Sequence, residues 1–192
     1  MERNFSRVGV IGAGAMGRGI AQLFAQAGFD VVLHDAQPDA VVAAIAQLRQ
    51  ILDRLVERGR INSGDRDATL ARIVRSDTLE GFSGCDLVIE AVVERLDIKR
   101  SVFRALEGIV ATDAVLASNT SSLSITAIAA DCEHPERVAG FHFFNPVPLM
   151  KVVEVVHGVR TDPKAIARLA AIARAAGHTP VCLLYTSDAA DE

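Results

Sequence analysis

Three glycines in the spacing Gly-x-Gly-x-x-Gly constrain this chain most, because they separate a strand-like run from a helix-like one. The apolar residues 8–11 come before Gly12, Gly14 and Gly17, and apolar residues then recur at helical spacing. In such a turn the first glycine permits a tight bend, the second leaves room for a pyrophosphate, and the third lets helix and strand pack closely. The helix N-terminus then offers unpaired N–H groups to the anion. The pattern predicts a dinucleotide-binding turn.

An acidic residue after the next apolar run indicates which dinucleotide is bound. Residues 31–33 form a short apolar run that ends in His34 and Asp35. A carboxylate at this point accepts hydrogen bonds from both ribose hydroxyls of an adenosine and repels a 2′-phosphate, so NAD is favoured over NADP. The predicted cofactor contacts in this half of the site are Gly12, Ala13, Gly14, Ala15, Met16, Gly17 and Asp35.

Composition excludes several classes of function. The 192 residues carry a net charge of −4, and no basic patch with interleaved aromatic residues indicates a nucleic-acid partner. No apolar run is long enough to cross a bilayer, and the N-terminal residues lack a secretory signal pattern. The three cysteines (85, 132 and 182) have no metal-ligand spacing. We therefore expect a cytoplasmic protein without a metal, a membrane or a nucleic acid as partner.

The order of predicted elements gives the fold class. Strand-like and helix-like segments alternate along the chain, which is typical of an α/β protein with a doubly wound, mostly parallel sheet of the Rossmann type. Two predicted helices, over residues 40–58 and 67–73, follow one another before the next strand. Such a pair could project from the sheet or pack on its face, and the pattern alone leaves both open.

Three polar residues stand out because of their surroundings. His142 is flanked by phenylalanines, Glu154 by valines, and Ser121 follows a predicted strand. A histidine in an apolar strand is often structural, but an unpaired buried carboxylate is costly, so Glu154 needs a partner such as an imidazole N–H. A His–Glu pair beside a nicotinamide could remove the hydroxyl proton of an alcohol. The spacing does not establish that the two side chains meet.

Four segments together resemble the NAD-binding domain of 3-hydroxyacyl-CoA dehydrogenases, and the resemblance covers residues 7–181. They are Gly12-Ala-Gly-Ala-Met-Gly-Arg-Gly-Ile-Ala-Gln22, Glu90-Ala-Val-Val-Glu94, Ser118-Asn-Thr-Ser-Ser122 and Gly140-Phe-His-Phe-Phe-Asn-Pro-Val147. The resemblance implies NAD-dependent oxidation of (S)-3-hydroxyacyl-CoA to 3-ketoacyl-CoA. The chain resembles the members of this family that act in fatty-acid β-oxidation and in butanoate or phenylacetate-type catabolism.

The resemblance also implies roles for particular residues. His142 matches the catalytic base, Glu154 its carboxylate partner, and Ser121 the serine that hydrogen-bonds the 3-oxygen of the substrate near the nicotinamide. Further cofactor contacts are implied for Glu94, Lys99, Ser121 and Asn145.

A contact with coenzyme A is implied for the two consecutive helices. They resemble an arm that projects from the sheet in this family and touches the coenzyme. Arg54 and Arg58, near the end of the first helix, are therefore candidates for its phosphates, although plain solvated charges remain the alternative.

The end of the chain departs from the family. After Thr179-Pro-Val181 the family continues with a Pro-Gly-Phe segment, whose asparagine completes the catalytic group, and with a helical domain that forms a homodimer. Here residues 182–192 instead spell one translated frame of a common transposase sequencing adapter. We expect residues 1–181 to be the NAD-binding domain, residues 182–192 not to be native, and the helical domain to be missing. The chain alone should then be weakly active or inactive.

Two other functions are compatible with the same fold. One is a different β-hydroxyacid dehydrogenase, which would place a lysine base on the following helical domain. The other is a non-catalytic NAD-binding or crystallin-like protein. The presence of His142, Glu154 and Ser121 together argues against a loss of catalysis.

Overall fold

Eight strands form one sheet in the computed structural model, which describes residues 5–184. They are β1 (Arg7–Ile11), β2 (Asp30–His34), β3 (Ile73–Arg75), β4 (Leu87–Glu90), β5 (Val115–Ser118), β6 (Val138–Phe143), β7 (Val152–His157) and β8 (Thr179–Leu184). Their order across the sheet is β3-β2-β1-β4-β5-β6-β7-β8. The order changes direction between β1 and β4, as in a doubly wound sheet, so the predicted α/β Rossmann-type fold is confirmed.

Helices cover both faces of the sheet. They are α1 (Ala15–Gln26), α2 (Pro38–Glu57), α3 (Ser63–Ala71), α4 (Leu96–Glu107), α5 (Ile125–Ile128) and α6 (Pro163–Ala175). On β2, Val31 and Leu33 pack in the core with α1, α2 and α6, whereas Val32 packs in the core with α4 and α5. This alternation follows from the twofold period of a strand, and it explains why the strand is apolar throughout.

The last two strands run opposite to the other six. Strands β1 to β6 pair in parallel, β7 pairs antiparallel to β6, and β8 pairs in parallel with β7. The connection from β6 to β7 spans only residues 144–151, which is too short for the crossover that a parallel pair requires. The sheet is thus mostly parallel, as predicted, and its reversal places His142 directly opposite Glu154.

The two consecutive helices pack on the sheet at one end. Val41, Ala44 and Leu48 of α2 are buried in the core with α1, and α3 packs against both α1 and α2. The α2 residues buried in this core lie in its first three turns, and Arg54 near its end is exposed. Packing on the sheet is therefore observed for the first part of α2, and the projecting arm stays a prediction.

Two features of the described region bear on the class of protein. Among residues 5–184, no helix has the length and apolar character needed to cross a bilayer. The same residues contain no cluster of three or more histidine, cysteine or acidic side chains that could hold a metal ion.

The segment that we predict not to be native, residues 182–192, lies mostly outside the described part of the chain. Residues 185–192 lie outside it, while residues 182–184 continue β8 beside residues 155–157 of β7. The boundary at residue 181 stays a prediction.

Candidate active site

The glycine turn joins β1 to α1 by close backbone contacts. Gly12 has a positive φ of 98°, and its N–H donates to the carbonyl of His34 at 2.8 Å. A Cβ at Gly17 would lie 1.7 Å from the carbonyl oxygen of Gly12, so only glycine lets α1 approach the turn this closely. The predicted roles of these two glycines agree with this geometry.

The turn leaves room where a pyrophosphate would bind. A Cβ built on Gly14 would have no atom within 4 Å, and Gly14 caps α1 without any side-chain hydrogen bond. The first-turn N–H groups of a helix have no intrahelical partner, so an anion at this end would be favoured. The residues of the turn therefore fit a dinucleotide.

Asp35 lies directly after β2 and is bonded to the same turn. One carboxylate oxygen accepts from the N–H of Ala13 at 2.7 Å, and the other accepts from the N–H of Gln37 at 2.9 Å. A carboxylate oxygen has two lone pairs, so Asp35 can keep both bonds and still accept from ribose hydroxyls. Asp35 therefore lies beside the glycine turn, and its contact with the ribose stays a prediction.

The antiparallel register brings His142 and Glu154 together. Nδ1 of His142 lies 2.7 Å from Oε2 of Glu154, and the two side chains are 17% and 31% exposed. A neutral imidazole that donates from Nδ1 to the carboxylate keeps an unprotonated Nε2. The contact that the sequence could only suggest is therefore present.

A pocket of about 390 Å³ connects this pair to the cofactor turn. Its lining includes Met16, Glu94, Lys99, Ser121, His142 and Asn145. It lies at the carboxyl ends of the parallel strands, where open α/β sheets bind their ligands. The pocket joins the predicted catalytic residues His142 and Ser121 to the predicted cofactor contacts beyond the turn.

The loop that carries Ser121 is held from both sides. The side-chain oxygen of Asn119 accepts from the N–H of Phe143 at 2.9 Å, which ties the loop to β6. Glu94 accepts from the hydroxyl of Thr120 and from that of Ser122, the latter at 3.2 Å. These bonds fix the loop on which Ser121 faces the pocket.

A buried charged group lies beneath this loop. Nζ of Lys99 is 2.7 Å from Glu90 and 3.1 Å from Glu94, and the side chain of Lys99 is only 1% exposed. Burial alone would raise the pKa of Glu94, but hydrogen bonds from Thr120 and Lys99 outweigh it and hold the pKa below its usual value. The sequence interpretation gave no role to Glu90, although a glutamate closing the buried run Leu-Val-Ile was a visible signal.

A second groove adjoins the pocket on the side of α1 and α2. It has a volume of about 240 Å³, lies between these helices and residues 145–149, and shares Asn145 with the pocket. Ile51 and Leu55 of α2 line it. Arg54 and Arg58 are exposed on the same end of α2 and form no ion pair with any residue of the 5–184 region. They do not line either cavity, so the structure does not bring them into the pocket of His142.

Known proteins match nearly the whole chain. Residues 7–186 match the NAD-binding domain of 3-hydroxyacyl-CoA dehydrogenases. The chain is 46% identical over 156 residues to the 3-hydroxybutyryl-CoA dehydrogenase of Bradyrhizobium diazoefficiens, a match that covers 81% of this chain and 53% of the relative. It is 42% identical over 178 residues to the 3-hydroxyadipyl-CoA dehydrogenase of Escherichia coli, with 93% of this chain and 38% of the relative covered.

Solved structures agree with these relatives. The crystal structure of 3-hydroxybutyryl-CoA dehydrogenase from Escherichia coli K12 matches at a TM-score of 0.94 and 41% identity, covering 96% of this chain and 39% of that one. The chain thus spans about half, or less, of the length of these proteins. It belongs to the 3-hydroxyacyl-CoA dehydrogenase family, and the matched residues are that family's NAD-binding domain.

Proposed function

We propose that the protein is an NAD-dependent dehydrogenase that oxidises (S)-3-hydroxyacyl-CoA to 3-ketoacyl-CoA. Its place would be fatty-acid β-oxidation or butanoate or phenylacetate-type catabolism in the cytoplasm. The observation that carries the proposal is the 2.7 Å contact between Nδ1 of His142 and Glu154, at a pocket that also reaches Ser121 and the glycine turn.

His142 acts as the general base in this reaction. Its Nδ1–H donates to Glu154, so the lone pair of Nε2 accepts the proton of the C3 hydroxyl. When bound, NAD would supply the hydride acceptor, so that C3 would lose its hydride as the oxygen loses its proton and the C3–O bond becomes a carbonyl. Glu154 orients the ring and stabilises the imidazolium that forms. The hydroxyl of Ser121 donates to the C3 oxygen and keeps it facing His142.

In this proposal the cofactor would be held by residues of the turn and of the pocket. Residues 12–17 hold the pyrophosphate, and Asp35 accepts the hydroxyls of the adenosine ribose. Glu94, Lys99 and Asn145 surround the nicotinamide end, since all three line the pocket of His142. The open space at Gly14 supports this path.

The acyl-CoA thioester enters through the groove beside α2. The groove is lined by apolar side chains such as Ile51 and Leu55 and meets the pocket at Asn145, which suits the pantetheine arm. Arg54 and Arg58 then bind the phosphates of coenzyme A at the end of the helix, where exposed guanidinium groups without ion pairs can reach an anion.

A further helical domain completes the site in this proposal. The matches cover only 53% and 38% of the two relatives named above. We propose that in the full-length protein such a domain covers the pocket, adds the asparagine of the catalytic group and forms a homodimer. Residues 182–192 would be replaced there by native sequence. Recovering the source DNA tests this point, because reads that run unchanged through residue 192 into genomic sequence would refute it.

The oxidation of NADH by acetoacetyl-CoA tests the function. The complete reading frame is assayed beside the present chain, and saturable oxidation is expected with short 3-ketoacyl-CoA thioesters. The chain alone should be slower by about 100-fold or more, because it lacks groups that position the substrate. No oxidation with any short 3-ketoacyl-CoA, despite NADH binding, would contradict the proposal.

The same assay separates the two alternatives. A different β-hydroxyacid dehydrogenase would act on free hydroxyacids that lack coenzyme A and would keep its activity in a His142→Gln variant. A non-catalytic NAD-binding or crystallin-like protein would bind NADH but oxidise none.

A further inference from the structure

A fully buried carboxylate lies behind the residues that line the pocket of His142. Glu90, at the end of β4, is 0% exposed. One of its oxygens accepts from Nζ of Lys99 and from the N–H of Val92, both at 2.7 Å, and the other accepts from the hydroxyl of Ser118 at 2.7 Å. Ser118 is also 0% exposed. Every contact of Glu90 is therefore inside the protein, and Glu90 does not line the pocket.

Glu90 forms one cluster of charged side chains with Lys99 and Glu94. Both line the pocket, and the ammonium group of Lys99 lies between the carboxylates of Glu90 and Glu94. Two carboxylates and one ammonium leave a net charge of −1. Glu90 and Lys99 are buried and the side chain of Glu94 is 40% exposed, so salt screens this charge less than it would a fully exposed charge.

We propose that Glu90 is a specificity-determining residue for the oxidation state of the cofactor. The inference rests on the proposed function in one respect: the nicotinamide end of NAD occupies the pocket of His142. The nicotinamide ring is cationic in NAD⁺ and neutral in NADH, so a net charge of −1 beneath it stabilises NAD⁺ relative to NADH. Without Glu90, the charge of Lys99 would be balanced by Glu94 alone, and this preference would be lost.

The remaining charges near the pocket do not replace this effect. The His142–Glu154 pair lies on β6 and β7, and the N-terminus of α1 contributes a partial positive charge at the pyrophosphate. Both are the same in every variant that alters only Glu90, Lys99 or Ser118. A change in preference between variants therefore reports the buried group.

The test compares the dissociation constants of NADH and NAD⁺ for the chain itself and needs no turnover. NADH binding is followed by its fluorescence, and NAD⁺ binding by displacement of NADH. In Glu90→Gln the ratio of the NAD⁺ constant to the NADH constant should rise about threefold to tenfold, as expected for one partly shielded charge near the ring. In Lys99→Met the ratio should fall, since the net charge becomes −2.

Two further variants separate charge from structure. Glu90→Gln combined with Lys99→Met restores a net charge of −1, and its ratio should return to within about twofold of wild type. Ser118→Ala removes a hydrogen bond of Glu90 without changing charge, so both constants should move together and the ratio should stay unchanged. A purely structural role of Glu90 would weaken both cofactor forms equally.

The outcomes show separately whether the role of Glu90 and the proposed substrate are correct. An unchanged ratio in Glu90→Gln, or a double variant that behaves like Glu90→Gln, would overturn the role of Glu90. If Glu90→Gln does not fold, the comparison of Lys99→Met with wild type decides, and an unchanged ratio there overturns the inference too. A shifted ratio in a protein whose full-length form ignores 3-ketoacyl-CoA would leave the inference standing and reject the substrate. Absence of NADH binding would reject both.

Discussion

At the scale of single residues, the antiparallel pair β6–β7 makes Glu154 a partner of His142. The contact is 2.7 Å long and places a carboxylate on Nδ1, the ring nitrogen farther from the substrate in the proposed mechanism. A carboxylate in this position sets the tautomer of the ring and stabilises its protonated form. The role of Glu154 thus depends on its charge as well as its shape.

Glu154→Gln tests this role in the full-length protein. The amide keeps the size of the side chain but cannot stabilise the imidazolium, so kcat for NADH-dependent reduction of acetoacetyl-CoA should fall about 10- to 1000-fold. The dissociation constant of NADH should change little.

The chain offers a matched control for this variant. His134 and Glu136 form a second His–Glu contact, 3.1 Å long and about half exposed, away from the pocket. Glu136→Gln should leave kcat within about twofold of wild type, because a surface pair of this kind contributes little. Equal losses in both variants would argue against a specific role for Glu154.

The thiols are predicted to differ in reactivity because only the thiolate is nucleophilic. Burial raises the pKa of Cys85 to about 12, and it raises the pKa of Cys132 to about 12 as well. Cys182 is exposed. At about pH 8, Ellman's reagent should therefore label one thiol quickly in the native chain and all three after unfolding. Fast labelling that persists in Cys182→Ser would contradict this.

The sequence predicts His142, Glu154 and Ser121 as catalytic residues but gives no role to the residues behind their pocket. His142 and Glu154 stand out because polar side chains in apolar runs need an explanation, and Ser121 stands out because it follows a strand. Glu90 closes a buried apolar run and so needs a partner, but the sequence does not identify Lys99 on α4 and Ser118 on β5 as its partners. Contacts between distant segments leave no periodic signal in a sequence.

At the scale of elements, the glycine turn combines a steric requirement with an open space. A Cβ added at Gly17 would lie 1.7 Å from the carbonyl oxygen of Gly12, whereas a Cβ added at Gly14 would have no atom within 4 Å. Gly17 should thus serve the packing of α1, and Gly14 the approach of the cofactor.

Two alanine variants test this division. Gly17→Ala should lower the free energy of unfolding by about 3 kcal/mol or more, because α1 must move away from the turn. Gly14→Ala should change it by less than about 0.5 kcal/mol but weaken NADH binding at least tenfold, since the methyl group takes the space of the pyrophosphate. Thermal unfolding and NADH fluorescence measure both effects. The reverse pattern would contradict the assignment.

The predicted elements differ from the structure mainly at their ends. The third helix begins at Ser63, because Asn62 and Asp65 form a capping box, whereas apolar periodicity alone placed its start at residue 67. The strand after it covers Ile73–Arg75. The alternation of elements predicts a sheet but does not give the direction of each strand. The short connection between β6 and β7 makes that pair antiparallel.

At the scale of the whole molecule, an apolar surface borders the candidate active site. Leu149, Met150, Val152 and Val181 are 74%, 44%, 41% and 42% exposed and belong to β7, β8 and the loop before β7. Clustered exposed apolar residues mark surfaces that other protein segments cover. In our proposal the helical domain of the full-length protein covers this surface.

The isolated chain should therefore bind the dye ANS and associate as its concentration rises. Leu149→Ser combined with Met150→Ser should reduce both signals, as should the presence of the rest of the full-length protein. Val42→Ser serves as a control, because Val42 is 51% exposed on α2, outside this surface. An isolated chain that stays monomeric and binds no ANS would contradict the prediction.

His142→Gln in the full-length protein tests the central claim most directly. Glutamine can fill the space of the imidazole but cannot accept the proton of the alcohol. We predict that kcat with acetoacetyl-CoA and NADH falls about 1000-fold or more, while the dissociation constant of NADH stays within about twofold of wild type. A variant that keeps at least about a tenth of the wild-type kcat would show that His142 is not the base and would contradict the account.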